Sequence, residues 1–417
     1  MKRLRKVASL VLVVLATGMS AFGQSSTEVG PDFLKTARHL HANVHPLKKA
    51  NLDSLSSAGL PGIDSIVNFT GQFNANGIGV DGSPQNLWFF SMIGRDPKEG
   101  GTTLVPAPII PVSLDLLAAD GSVAMHYDVS PFVEPTLLSP IFFPAKFLSS
   151  PHPTQFTDAD MRATFFHSMR QDWHTLLNPQ LKGSMTMTLP FGKYVAQPNK
   201  DGSCCLFVLV DDVTFQNLLF PPTFPVDNTT LIGAAELNGD MTTKDLTTFL
   251  FPNTYLYLNG DVKQCCVLGF HAFDFEPGIP ENGNLPRAYM MNYSSWITPG
   301  LFNGGFQDVA ALSHEVAETF NDPFVGFDNI HNITPWWLSG SQCQDLLEVG
   351  DVVESLSANV TSPVQNILGQ TYSLSNVALL QWFEFQEHSD AFRAAYSFPD
   401  KASLPALSPF QNPGCAP

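Results

Sequence analysis

The sequence predicts an α+β fold: a mixed sheet with an H-E-x-x-E helix, preceded by a β-rich N-terminal region. Three observations predict it. Short apolar runs broken by Gly and Pro fill residues 62–150, which is the pattern of successive short strands. From residue 151 onward, segments with helical periodicity are mixed with further strand-like runs. One turn of predicted helix, Ser313-His314-Glu315-Val316-Ala317-Glu318, gathers an imidazole and two carboxylates. Only 14% of the 417 residues are charged, and 33 are Phe and 33 Pro. That composition supplies ample core and favours a strand- and loop-rich chain over a helical bundle.

Taken in order, residues 1–23 read as a secretory signal peptide: a basic start, an apolar run from Val7 to Leu15, and small residues ending at Gly23. The run is too short for a permanent membrane anchor. The expected protein is therefore exported, secreted or periplasmic, with no membrane association after signal cleavage. Residues 24–61 are polar and read as a leader or linker, with a weakly amphipathic piece at Phe33–Leu47. In the β-rich region 62–150, Leu87–Ile93 and Ile109–Leu114 are strand candidates.

A metal-binding domain is expected over 151–417. It opens with a helix capped by Thr157, with Asp158 and Asp160 at its positive end and Met161, Phe165, Met169 and Trp173 on its apolar face. Strands are expected at Ser184–Leu189, Leu206–Val210, Thr254–Leu258, Cys265–Phe270 and Arg287–Tyr293, and a short helix at Thr243–Leu250. The motif helix spans Gln307–Asn321 and ends before Pro323. A mostly irregular tail follows.

The formal charge is −17, and the signal segment holds cations but no acids, so the exported part is more acidic still. Such a chain lacks the electrostatics for nucleic-acid phosphates or anionic membranes. Six cysteines in an exported chain permit disulfides. Cys204/Cys205 with Cys265/Cys266, and Cys343 with Cys415, are the expected pairings, because adjacent cysteines rarely bond each other. Buried thiols are the alternative, and no spacing is that of a zinc finger.

Residues four apart on a helix lie over one another. His314 and Glu318 could thus grip one metal ion, with Glu315 beside it as base for a bound water. On the motif helix Val309, Leu312, Val316 and Phe320 form the buried stripe, and His314 and Glu318 fall opposite. That face is either the wall of a cleft or a row of solvated polar residues, and periodicity does not separate the two. A third ligand from a later segment is required. Glu348 and Asp351 are the first candidates and Asp322 the next. His271 and His331 rank lower, since a lone histidine on a strand or loop is more often a surface or satisfied core residue. Zinc is the expected divalent ion, but one histidine with two carboxylates is a harder, oxygen-rich set that weakens selectivity for zinc and keeps calcium or manganese open.

The order of helix, strands and H-E-containing helix is similar to that of zincin metallopeptidases. Residues Ala311–Phe324 resemble the H-E-L-A-x-x-x-T-[ND]-P segment of the plant EXORDIUM/phosphate-induced protein family and its bacterial secreted relatives. Cys265–His271 is similar to that family's cysteine-containing strand ending in Phe-His, and Leu347–Asp351 to its later acidic segment. The likeness spans about residues 200–390. It implies a zincin-like extracellular protein, growth- or wall-associated. The expected function is a secreted metal-dependent peptidase or hydrolase acting on a peptide or protein. The alternative is a non-catalytic binding protein of the extracellular space or cell wall, with a structural metal or none.

Other signals carry less. Gly77–Gly82 matches G-x-G-x-x-G but runs into Ser83-Pro84 rather than a helix, so a turn is expected. Asp211-Asp212 and Asp274/Glu276 lack EF-hand spacing. Trp296, Trp336, Trp337 and Trp382 could stack on sugars but are more often core or loop anchors.

Overall fold

The strands build outward from one long central strand. β1 (Asn68–Ile78) and β2 (Pro84–Ile93) form an antiparallel hairpin. β3 (Thr102–Leu117) is sixteen residues long, and β4 (Val123–Tyr127) turns back antiparallel onto its end. β5 (His174–Leu181) and β6 (Met185–Leu189) run parallel to its first and second halves. β7 (Tyr194–Pro198), β8 (Leu206–Asp211), β9 (Leu246–Pro252), β10 (Thr254–Tyr257), β11 (Cys265–Val267), β12 (Gly269–Glu276) and β13 (Arg287–Trp296) complete two sheets. The larger has seven strands, with the path β12-β13-β9-β3-β4 and β5 and β6 also on β3; the smaller runs β11-β10-β8-β7.

This computed structural model describes residue 34 and residues 63–78, 84–198, 206–222, 226–324, 336–337, 343–344 and 347–404. The predicted signal peptide, and the predicted linker apart from Leu34, lie outside the described residues. So do His331 and residues 79–82 of the Gly77–Gly82 match, of which Gly77 and Ile78 end β1. No helix among the described residues is long and apolar enough to cross a membrane.

Pro106, Pro108 and Pro111 sit inside β3, where a missing N–H normally breaks a ladder. Gly101 and Ile109 carbonyls both accept N–H groups from the β5 chain. Odd-numbered residues there thus face β5, and Pro106 and Pro108 point their nitrogens to the other edge. Pro111 falls where the ladder passes from β5 to β6. β3 lies in the segment 62–150 while β5, β6 and β9 lie beyond it, and all four share one sheet.

The helices are α1 (Ser130–Leu137), α2 (Phe156–Thr164), α3 (Asp212–Leu219), α4 (Leu231–Asn238), α5 (Ala310–Asn321), α6 (Val349–Leu356) and α7 (Leu380–Phe383). The fold is mixed α+β, as predicted. Three local expectations are corrected. The helix expected at Thr243–Leu250 is instead the start of the β9 segment: every residue of β9 is buried, so no alternation marks it, while Thr247, Thr248, Phe249 and Phe251 favour extended chain.

The helix expected to reach Trp173 stops at Thr164. Gln155, not Thr157, stands at its N-cap, and the Gln155 side chain bonds both backbone groups of Leu177 in β5. Buried Asp158 accepts the Thr175 N–H at 2.8 Å, and Arg162 donates to the Trp173 carbonyl. These ties fold the chain back onto β5 before a longer helix can form.

The expected irregular tail holds α6, α7 and the short antiparallel pairs β16 (Thr361–Gln365) with β17 (Thr371–Ser375) and β18 (Val377–Ala378) with β19 (Ser397–Phe398). A further two-residue pair, β14 (Trp336–Trp337) with β15 (Cys343–Gln344), precedes them.

Candidate metal centre

Helix α5 packs against β12, β13, β17, α2, α6 and β2. Leu312, Val316, Ala317 and Phe320 enter the main core, while Ala310 and Ala311 enter a separate cluster with Ile297, Leu301, Phe302, Cys265 and Cys266. The helix is thus held from two sides, and all twelve of its residues are buried. The solvent-facing reading of His314 and Glu318 is corrected by this: their face meets β12 and the start of α6, not bulk water.

Cys265 and Cys266 bond each other, across a cis peptide with Cα atoms 3.0 Å apart. This corrects the expected bridge from this pair to Cys204/Cys205, since neither sulfur is left for it. Cys204, Cys205 and Cys415 lie outside the described residues. The Cys265–Cys266 pair lies just ahead of β12, whose residue Gly269 passes so close to α5 that an added Cβ would sit 2.8 Å from Glu315 Cγ. Two residues on, β12 presents His271.

The structure brings together the predicted site residues His314, Glu315, Glu318, Glu348 and Asp351, and adds His271 and Glu354. His314 Nε2 lies 3.1 Å from Glu318 Oε1 and 3.2 Å from Asp351 Oδ1. His314 Nδ1 faces Glu354 Oε1 at 3.4 Å and Ser375 Oγ at 3.5 Å. His271 Nδ1 lies 3.4 Å from Glu318 Oε2 and 3.5 Å from Glu315 Oε2, and its Nε2 lies 3.9 Å from Glu348 Oε2. Glu318 Oε1 also accepts the Gly350 and Asp351 N–H groups at 3.0 and 3.2 Å. These are first-turn donors of α6, where a carboxylate is favoured. Two groups could hold a metal ion: His314 with Glu318 and Asp351, and His271 with Glu318 and Glu348.

Sequence reasoning ranked His271 low, and the structure places it within the cluster. Its strand places it opposite Asn292 of β13, and Asn292 accepts a hydrogen bond from Thr319 of α5, so β12 and the motif helix are registered through that neighbour. The Phe-His ending noted in the family resemblance was the available signal. Asp322 plays another part: its carboxylate accepts the Leu347 N–H at 3.2 Å, fixing the chain just before Glu348.

Seven side chains in this cluster are each at most 13% exposed, and five are carboxylic acids. Burial is the largest influence on His314 and acts against its charged form. Glu318, Asp351 and Glu354 together outweigh it, so its pKa is raised well above the ordinary value. His271 is raised likewise, burial being overcome by Glu348, Glu315 and Glu318. Burial raises Glu315 to about 7 against the pull of both imidazoles. It drives Glu348 well upward despite His271, with Glu318, Asp351 and Asp322 adding repulsion. Glu318 is lowered: burial opposes ionisation, but His314 and His271 flank it on both sides. The site is one shared carboxylate between two imidazoles, ringed by acids short of positive charge.

No protein-family model, curated protein or solved structure matches the chain.

Proposed function

We propose that this chain is an exported, zincin-like metal-dependent hydrolase, with a divalent ion held by His314, Glu318 and Asp351 and with Glu315 as the general base. One observation carries the reading: three donor atoms from two helices converge, with His314 Nε2 at 3.1 and 3.2 Å from the two oxygens. Tetrahedral zinc with bonds of about 2.0–2.1 Å sets its ligand atoms roughly 3.3 Å apart, so the donor set fits such an ion. The charge fits as well. Buried carboxylates in excess are costly unless a cation neutralises them. Space is kept for the imidazole, because a Cβ on Gly350 would lie 2.5 Å from the His314 ring.

A bound divalent ion would act as a Lewis acid toward a carbonyl and lower the pKa of water. Glu315 follows His314 directly and is held by His271 Nδ1 at 3.5 Å. With its pKa near 7 it suits both taking a proton from the attacking water and returning it to the leaving amine. Glu354 orients His314 from Nδ1 at 3.4 Å, which leaves Nε2 to face the ion together with Glu318 and Asp351. A peptide bond as substrate is supported by the H-E-x-x-E motif and by the resemblance to zincins. Zinc is the ion the distances favour; manganese suits the oxygen-rich donor set.

The burial of all seven side chains favours a second reading, a structural metal in a non-catalytic extracellular or wall-associated protein. Metal content and casein hydrolysis separate the two. Hydrolysis lost in Glu315→Gln with metal retained supports the enzyme, while metal retained in the wild type without hydrolysis supports the structural site. A wild-type protein that binds no divalent ion overturns both.

A further inference from the structure

We infer that the cluster is built for two cations bridged by the Glu318 carboxylate, the second ion lying among His271, Glu318 and Glu348. This inference rests on the metal reading above and extends it.

The two oxygens of Glu318 face different imidazoles: Oε1 toward His314 Nε2 at 3.1 Å and Oε2 toward His271 Nδ1 at 3.4 Å. Each set of three ligand atoms lies within 4.8 Å, and Glu318 is the member common to both. A carboxylate shared by two metal-sized groups, with its two oxygens turned to different imidazoles, fits a bridged pair, and two-metal hydrolytic sites hold their ions about 3.5–4 Å apart.

His271 gives the independent sign. The residue is only 6% exposed, and its Nε2 is buried without a hydrogen-bond partner among the described residues. That nitrogen points at Glu348, 3.9 Å away, too far for a hydrogen bond. Buried polar atoms in native folds are almost always paired. Here two groups face each other across a gap that neither closes, and both are metal ligands by chemistry, so Nε2 is the nitrogen the second ion would take while Nδ1 stays on Glu315. Glu348 is also set rigidly: it is the N-cap residue of α6, and the preceding Leu347 N–H is held by Asp322.

Charge points the same way. Glu315, Glu318, Glu348, Asp351 and Glu354 all lie within 4 Å of one of the two imidazoles. With carboxylates ionised and imidazoles neutral, one dication leaves three negative charges and two dications leave one. The second donor set, one imidazole and two carboxylates, suits manganese or zinc.

The test uses the full exported chain, stripped with a chelator, reloaded with Mn²⁺ and dialysed, with metal per chain measured and electron paramagnetic resonance recorded. Two manganese ions per wild-type chain with an exchange-coupled spectrum are expected. His271→Ala and Glu348→Gln should each bring the content to one and leave the six-line spectrum of an isolated ion. Circular dichroism identifies a variant that fails to fold; the wild-type stoichiometry and spectrum then decide alone. One ion per wild-type chain with an uncoupled spectrum overturns the bridged pair and leaves the single-metal reading standing. No bound ion overturns both.

Discussion

At the scale of single residues, the site depends on two glycines that supply room rather than unusual backbone angles. Gly269 lets β12 approach Glu315, and Gly350 lets α6 approach His314. A methyl group at 350 would meet ring atoms at 2.5 Å, and a ring cannot yield as a flexible chain end does. Gly350→Ala is therefore expected to push His314 off its partners. It should lower metal content and cost about 1–3 kcal/mol, read from urea unfolding of the loaded protein. Asp160 makes a different prediction. Burial raises its pKa to about 7, only partly offset by Asn321, and its Oδ1 has no hydrogen-bond partner among the described residues. The unfolded carboxyl ionises near 4 while the folded one stays neutral, so the fold loses stability from about pH 4 to 7, and the loss stays constant above that. Asp160→Asn should remove up to about 4 kcal/mol of that penalty. Its stability gain over wild type should be largest above pH 7 and vanish near pH 4, as denaturation midpoints across pH would show.

At the scale of elements, helix α5 is set by a clamp on its outer side as well as by its apolar stripe. Ser313 Oγ accepts the Ser375 N–H of β17 at 2.8 Å and donates to the Ala310 carbonyl at 2.9 Å. Ser313→Ala leaves that buried N–H unpaired, which should cost about 1–3 kcal/mol, measurable as a lower thermal midpoint with the metal content little changed. The helix itself was legible in the sequence, from Val309, Leu312, Val316 and Phe320 at helical spacing, and so were the strands around Leu87–Ile93 and Ile109–Leu114. Its surroundings were not. Periodicity reports one wet and one dry face, and α5 is dry all round because β12, β17 and α6 cover the polar side. β9 escaped for the same reason. His271 joins the site through the pairing of β12 with β13 and lies some forty residues before His314, so the periodicity around the motif does not encode it. Glu348 and Asp351 were named because a third ligand was sought in a later acidic segment, and both lie beside the imidazoles. The Cys265–Cys266 bond was missed because a general rarity was applied to a particular pair.

At the scale of the whole molecule, a chain of net charge −17 concentrates five carboxylates in its interior beside two imidazoles, and the fold must neutralise them with protons or with metal. The two solutions respond to pH in opposite ways. Without metal, His271 and His314 carry raised pKa values. Their stabilising contribution is complete below about pH 6.5 and is lost as pH rises through the higher folded-state values. Glu315 and Glu348 are raised as well, so the folded state resists their ionisation and weakens as pH climbs above about 4.5. Both trends make the stripped protein less stable toward alkaline pH. With metal, deprotonated ligands are the binding form, so affinity strengthens over the same range, and an ion at a hundred times its dissociation constant contributes about 2.7 kcal/mol. The gap in thermal midpoint between metal-loaded and EDTA-treated protein should therefore widen from pH 5 to pH 8, reaching several degrees. A gap that instead closes as pH rises would mean that protons, not a cation, balance the buried acids.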